Sequence, residues 1–160
     1  MKLSVVEQFT GDSAKVIPAN KNKIPISEIN LPDSQPRRYF DPEKLESLAK
    51  SIQEHGVLEP LLVRPKDDKY ELIAGERRLK ASQIAGLEEV PVIILDLDDT
   101  AATQVRLIEN LQREDLNPLE ETEGILELLS LRLSEKSSGV VKLLQRLEHE
   151  DKGKVARNVT

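Results

Sequence analysis

The chain has 160 residues, enough for one compact domain with a tail and too few for two full domains, and its 38% hydrophobic and 2% aromatic content means a core of Leu, Ile, Val and Ala. The absence of cysteine excludes disulfides, thiolate catalysis and cysteine-ligated zinc, leaving His55 and His149 as the imidazoles. A net charge of -6 argues against the whole chain acting as a phosphate-neutralising surface, and no apolar run approaches the roughly 20 residues of a membrane span, so a cytoplasmic protein is expected.

Residues 1–22 show no sustained periodicity and are punctuated by Gly11, Pro18, Asn20 and Asn22, which predicts a flexible leader. Ile24 to Leu31 alternates like a short strand and ends in the loop SQPRRYF. Asp41-Pro42 then supplies a cap acceptor and a proline for the first helical position, Leu45, Leu48, Ala49 and Ile52 form one apolar stripe, and Gly56 stops the helix. Leu58 to Arg64 and Tyr70 to Ala74 read as strands joined by the polar turn at 65–69.

A second helix is predicted from Gly75 to Gly86, and the β-branched run Val90 to Leu95 reads as a strand. Thr100 is expected to cap a third helix reaching about Gln112. Asn117-Pro118-Leu119-Glu120 has the chemistry of a capping box and starts a fourth, running to Leu133. After a polar break, Val140, Leu143, Leu144 and Leu147 share one side of a last helix. From Asp96 to Leu131 there are ten acids against Arg106 and Arg113, so this stretch is not expected along a duplex without a metal between.

Two short segments have the composition of a phosphate site. Gly75-Glu76-Arg77-Arg78 lies where a strand hands over to a helix, so backbone N–H groups and a positive helix end stand beside two guanidiniums. A solvated helix start with surface ion pairs fits the same four residues. Glu109 and Asn110 form an oxygen-donor pair at a helix end, suited to a hard cation that takes its other ligands from phosphates and water, with Arg113 close behind; a polar helix end without an ion fits it too. Ser51, His55 and Gly56 close the first helix, and Gln35-Pro36-Arg37-Arg38 is a rigid charged loop. There is no His-Glu-x-x-His, no nucleophile elbow and no Gly-Lys-Ser/Thr loop, and the few aromatics disfavour a single-strand binder.

Taken together, QPRRYFDPEKLESLAKSIQEHGVLEPLLVRP, YELIAGERRLKASQIAGLEEVPVII and LIENLQREDLNPLEE occur in the order and spacing of ParB-type N-terminal domains, which the chain resembles over about Ile24 to Gly124. The resemblance implies an α/β (α+β) fold, a small mixed sheet with covering helices related to sulfiredoxin, followed by C-terminal helices. It divides the chain into a leader (1–22), a nucleotide-binding domain (23–133) and a helical extension (134–160). It further implies binding of CTP with Mg2+. Gln35, Arg37, Ser51 and Gly56 would contact base and phosphates, Gly75, Glu76, Arg77 and Arg78 would surround the triphosphate, and Glu109 and Asn110 would hold the metal with Arg113 nearby. Slow CTP hydrolysis is implied as well, and Glu76 is the side chain assigned to it. In the family, nucleotide and a cognate DNA site favour self-association that closes a clamp on DNA in chromosome or plasmid partition, and a ParA-type ATPase is the partner of the N-terminal tail.

This chain departs from the family pattern at Glu59, usually Gln, and at Lys80, commonly Arg. After Leu133, SEKSSGVVKLLQRLEHEDKGK does not show the turn between two amphipathic helices expected of a helix-turn-helix, so the partition site is expected to be read by a region outside this chain. Two rival readings stand beside this one, a metal-dependent ParB-like DNA nuclease and a nucleotide-independent interaction module using the acidic 96–131 region. Sulfiredoxin chemistry is dropped because it needs a cysteine.

Overall fold

The computed structural model describes residues 15–17, 23–33, 40–113, 116–134, 136 and 138–146. They belong to two compact units, Met1–Asn110 and Leu111–Thr160.

In the first unit the elements are β1 (Lys15–Val16), β2 (Lys23–Pro25), a 3-10 turn (Ile26–Glu28), β3 (Ile29–Asn30), α1 (Pro42–His55), β4 (Leu61–Lys66), β5 (Lys69–Ala74), α2 (Glu76–Ile84) and β6 (Glu89–Asp96), with α3 (Asp99–Leu111) ending at its boundary. The sheet runs β1-β6-β4-β5-β3, and β2 shares the outer side of β6 with β1. It is mixed, as expected: β4 is parallel to β6 and antiparallel to β5, and β3 is parallel to β5.

Leu61 through Arg64 are all buried, because β4 is central and covered on both faces. Alternation along the strands separates the two sides. Leu61, Val63, Leu72, Val90, Val92 and Ile94 pack with Leu79 of α2, while Leu62, Ile73, Leu95 and Leu97 pack with Ala102 and Val105 of α3. Ala49 and Ile52 of α1 meet Ala81 of α2, with Leu45 and Leu48 partly buried beside them, so the predicted apolar stripe is the α1–α2 contact.

Three local expectations are corrected. Residues 15–17 do not behave as a leader: Lys15 and Val16 pair with Asp96 and Leu95, and the Ile17 amide donates to the Ile94 carbonyl at 2.9 Å. The strand expected over Ile24 to Leu31 is broken into β2 and β3 by the 3-10 turn, which begins after Pro25, a residue with no N–H for a ladder. Asp98 rather than Thr100 caps α3, its Oδ1 accepting from the Ala101 amide at 2.7 Å and its carbonyl from the Ala102 amide at 2.9 Å.

The α1 start is as predicted, with the Asp41 carboxylate accepting from the Glu43 amide at 3.1 Å. In the second unit, α4 (Pro118–Leu133) begins with a complete capping box: Asn117 Oδ1 accepts from the Leu119 and Glu120 amides, and the Glu120 carboxylate accepts from the Asn117 amide at 3.1 Å. A further helix covers 138–146, with Val140 buried and Leu143 and Leu144 exposed; Leu147 lies outside the described residues. No helix among the described residues is long and apolar enough to cross a membrane.

Candidate nucleotide site

The strand-to-helix handover at β5–α2 is built on Gly75. Its φ of 106° lies in the left-handed region that favours glycine, and a Cβ there would come within a tight 3.1 Å of Leu61 Cγ, so the backbone requires glycine and the space beside it is narrow. As the residue preceding α2 it turns the chain directly out of the sheet, its carbonyl accepting from the Leu79 amide at 2.9 Å. The free N–H groups of the first turn of α2 therefore sit at the end of β5.

The two guanidiniums there have different employment. Arg78 donates from Nη1 to the Glu59 carbonyl at 2.8 Å and the Pro60 carbonyl at 2.6 Å, with the Glu59 carboxylate at 3.8 Å. It thus ties the loop that enters β4 to the start of α2. Arg77 is half-buried and forms no ion pair among the described residues. Beside it, Glu76 Oε1 is buried, makes no hydrogen bond, and lies 3.1 Å from Lys80 Nζ; that ammonium also stands 3.8 Å above the Phe40 ring.

Other predicted residues are distributed more widely. Gln35 and Arg37 lie outside the described residues. Ser51 is exposed on α1, and Gly56 ends that helix with φ 74° and its amide donating to the Ile52 carbonyl at 2.8 Å. Open space surrounds Gly56. Glu109 and Asn110 are half-buried near the end of α3, and both are engaged by neighbours; Arg113, also engaged, belongs to the second unit. Glu109 and Asn110 are adjacent oxygen donors on the last turn of α3. Among the described residues no three acids or histidines come together as a metal site. A carboxylate beside a carboxamide fits a magnesium ion completed by phosphate and water, and does not fit an all-protein cage.

A charge cluster around a buried ion pair went unforeseen. Arg64 and Glu71, 4% and 5% exposed, face one another across β4 and β5 on the side covered by α3. Arg64 Nε donates to Glu71 Oε1 at 2.8 Å, Nη1 to the Leu97 carbonyl at 3.1 Å, and Nη2 to Asp99 Oδ1 at 2.6 Å. Lys66 Nζ reaches Glu71 Oε2 at 2.8 Å, and Arg106 Nη1 reaches Oε1 at 3.1 Å. Burial alone would push the Glu71 carboxyl up, but these bonds from Lys66, Arg64 and Arg106 outweigh it and hold the carboxyl below its ordinary range. The signal for this cluster was an Arg and a Glu interrupting two apolar strands at positions that register places opposite each other.

The profile of the ParB N-terminal domain family matches residues 8–111. The chromosome-partitioning protein ParB of Myxococcus xanthus is 47% identical over 135 residues, covering 78% of this chain and 46% of that protein. Among solved structures, C-terminally truncated ParB of Caulobacter crescentus complexed with CTP-γ-S aligns with a TM-score of 0.53 at 41% identity, covering 72% of each chain. The same protein complexed to the centromeric parS site aligns with a TM-score of 0.58 at 36% identity, covering 76% of this chain and 68% of that one. The chain spans a little under half the length of the curated relatives it matches.

Proposed function

Because this chain belongs to the ParB N-terminal domain family, we propose that it binds CTP with magnesium and uses the bound nucleotide as a switch for self-association on DNA during chromosome or plasmid partition. The observation that carries the nucleotide half of this reading is Arg77. A half-buried guanidinium with no ion pair among the described residues, standing on the first turn of a helix whose N–H groups open at a buried glycine, is suited to a polyphosphate. The Caulobacter relative complexed with CTP-γ-S supports CTP as the nucleotide.

In this reading the first turn of α2 and Arg77 grip the triphosphate, and Arg78 holds the loop beneath them rather than the ligand. Glu109 and Asn110 supply the protein oxygens for magnesium, which when bound would neutralise phosphate charge. Gln35, Arg37, Ser51 and Gly56 contribute to base and phosphate contacts from the first segment. Glu76, whose buried Oε1 lies 3.1 Å from Lys80 Nζ, is the side chain assigned to slow hydrolysis. Partition-site DNA is the proposed target, as supported by the relative complexed to parS, and a ParA-type ATPase remains the proposed partner.

Calorimetric titration of the chain with CTP, ATP, GTP and UTP in magnesium tests the reading, repeated on Arg77→Ala and Asn110→Ala. CTP-selective binding lost in both variants is expected. Absence of binding to every nucleotide by the unaltered chain overturns the proposal.

A further inference from the structure

Arg106, Glu109 and Asn110 occupy positions i, i+3 and i+4 of α3, so they lie on one face of the helix within about 6 Å along its axis. The same face carries Asp99 and Thr103, at i−7 and i−3. Two of these side chains are tied to the β4–β5 hairpin. Asp99 accepts from Arg64 at 2.6 Å, and Arg106 donates to Glu71 at 3.1 Å while its Nη2 donates to Thr103 Oγ1 at 3.2 Å. The first tie, strengthened by Arg64 on the Leu97 carbonyl at 3.1 Å, holds only the beginning of the helix. The second acts two turns later, immediately before the residues assigned to magnesium.

Glu71 is itself rigid, 5% exposed and held by three cations. It lies on β5 four residues before Gly75, on the same strand, whose pairing with β4 shifts register by one residue between Leu72 and Ala74. One carboxylate therefore stands on the strand that delivers the α2 phosphate-binding turn, and bonds the helix that delivers Glu109 and Asn110. We infer that Arg106 is a positioning residue: through Glu71 it joins the triphosphate-binding and magnesium-binding segments, setting where Glu109 and Asn110 stand relative to Gly75–Arg77. The inference rests on the nucleotide reading for its consequence, and on the ion-pair geometry alone for the joint.

A merely stabilising pair and a positioning pair differ in what their loss does. A stabilising pair lowers the unfolding temperature and affects nucleotide affinity equally with and without metal. A positioning pair acts on the metal-dependent part, as supporting partners of metal-binding residues do. The experiment uses the full chain and its Arg106→Met and Arg106→Lys variants. CTP affinity is measured by calorimetry in magnesium and in EDTA, and backbone amide exchange is followed without ligand.

In Arg106→Met, amides at 107–110 are expected to exchange faster while 61–66 and 69–74 keep their protection. The gain in CTP affinity on adding magnesium is expected to fall about tenfold, with Arg106→Lys retaining most of it. Unchanged exchange at 107–110 overturns the joint, and so does a loss of affinity that is the same in magnesium and in EDTA. If the unaltered chain binds no nucleotide, the functional reading fails, and the exchange result alone upholds or overturns the joint.

Discussion

Glu71 Oε1 lies 2.8 Å from Arg64 Nη2 directly across the β4–β5 hairpin, and neither side chain is more than 6% exposed. A pair this deeply buried is costly to break from one side, because the remaining charge keeps its desolvation penalty and loses its compensation. Glu71→Gln is expected to lower the unfolding free energy by about 3 kcal/mol, read from urea denaturation. Adding Arg64→Met to that variant is expected to cost less than the two single changes summed, since the residues share one network.

Acid should act on the same group. The folded Glu71 carboxyl is held below its ordinary value of 4.5, as burial is outweighed by hydrogen bonds from Lys66, Arg64 and Arg106. A depressed carboxyl contributes stability that is fully present above the unfolded value and is lost as pH falls through the folded one. Thermal melts between pH 7 and pH 3 are expected to show a steep decline below about pH 4.5 that is shallower in Glu71→Gln; equal slopes would contradict the assignment.

Arg77 and Arg78 are neighbours with separable roles. Arg78→Ala removes charged donors from the Glu59 and Pro60 carbonyls and is expected to cost about 1.5 kcal/mol or more of stability. Arg77→Ala, which breaks no ion pair among the described residues, is expected to stay within about 0.5 kcal/mol of the parent while losing nucleotide binding. Chemical denaturation and titration of both variants read the two effects independently.

The β4–β5 turn stores removable strain. Asp67 and Asp68 have φ of 50° and 60°, the pattern of a two-residue hairpin that favours Asn-Gly. Asp68→Gly is expected to raise stability by about 0.5 to 1 kcal/mol, since relief of the left-handed backbone exceeds the entropy glycine adds to the unfolded chain. A lower denaturation midpoint in the variant would show the Asp68 side chain to have a compensating contact.

Asn117→Ala removes the side-chain acceptor for the Leu119 and Glu120 amides. A loss of about 1 kcal/mol is expected, with faster exchange confined to the first turn of α4.

Helix ends and strand identities were legible wherever a local group decides them. Asp41-Pro42 and Asn117-Pro118-Leu119-Glu120 carry both the acceptor and the donor geometry of their caps within four residues. Gly56, Gly75 and Gly86 all adopt positive φ, as a chain that must stop or turn at those points requires. Asp98 displaced Thr100 as the α3 cap because two polar residues compete near one helix start, and only the path out of β6 selects between them. The leader reading gave way at 15–17 because a two-residue strand has no periodicity of its own; its hydrogen-bond partners are about eighty residues away on β6.

The candidate site divides in the same way. The amino-acid sequence by itself determined which segments have the composition suited to phosphate and metal, because arginines at a glycine-led helix start and a carboxylate beside a carboxamide are local facts. Only the tertiary structure decided that Arg78 is committed to the backbone of the β4 entry while Arg77 forms no ion pair among the described residues. It also decided that Arg64 and Glu71 form a buried pair joined by Arg106 and by the exposed Asp99. Strand register pairs Arg64 with Glu71, and the packing of α3 on the sheet brings in Asp99 and Arg106 from 35 residues further along the chain. Burial then makes the Arg64 and Glu71 charges act on one another rather than on water, an energy that no spacing along the sequence contains.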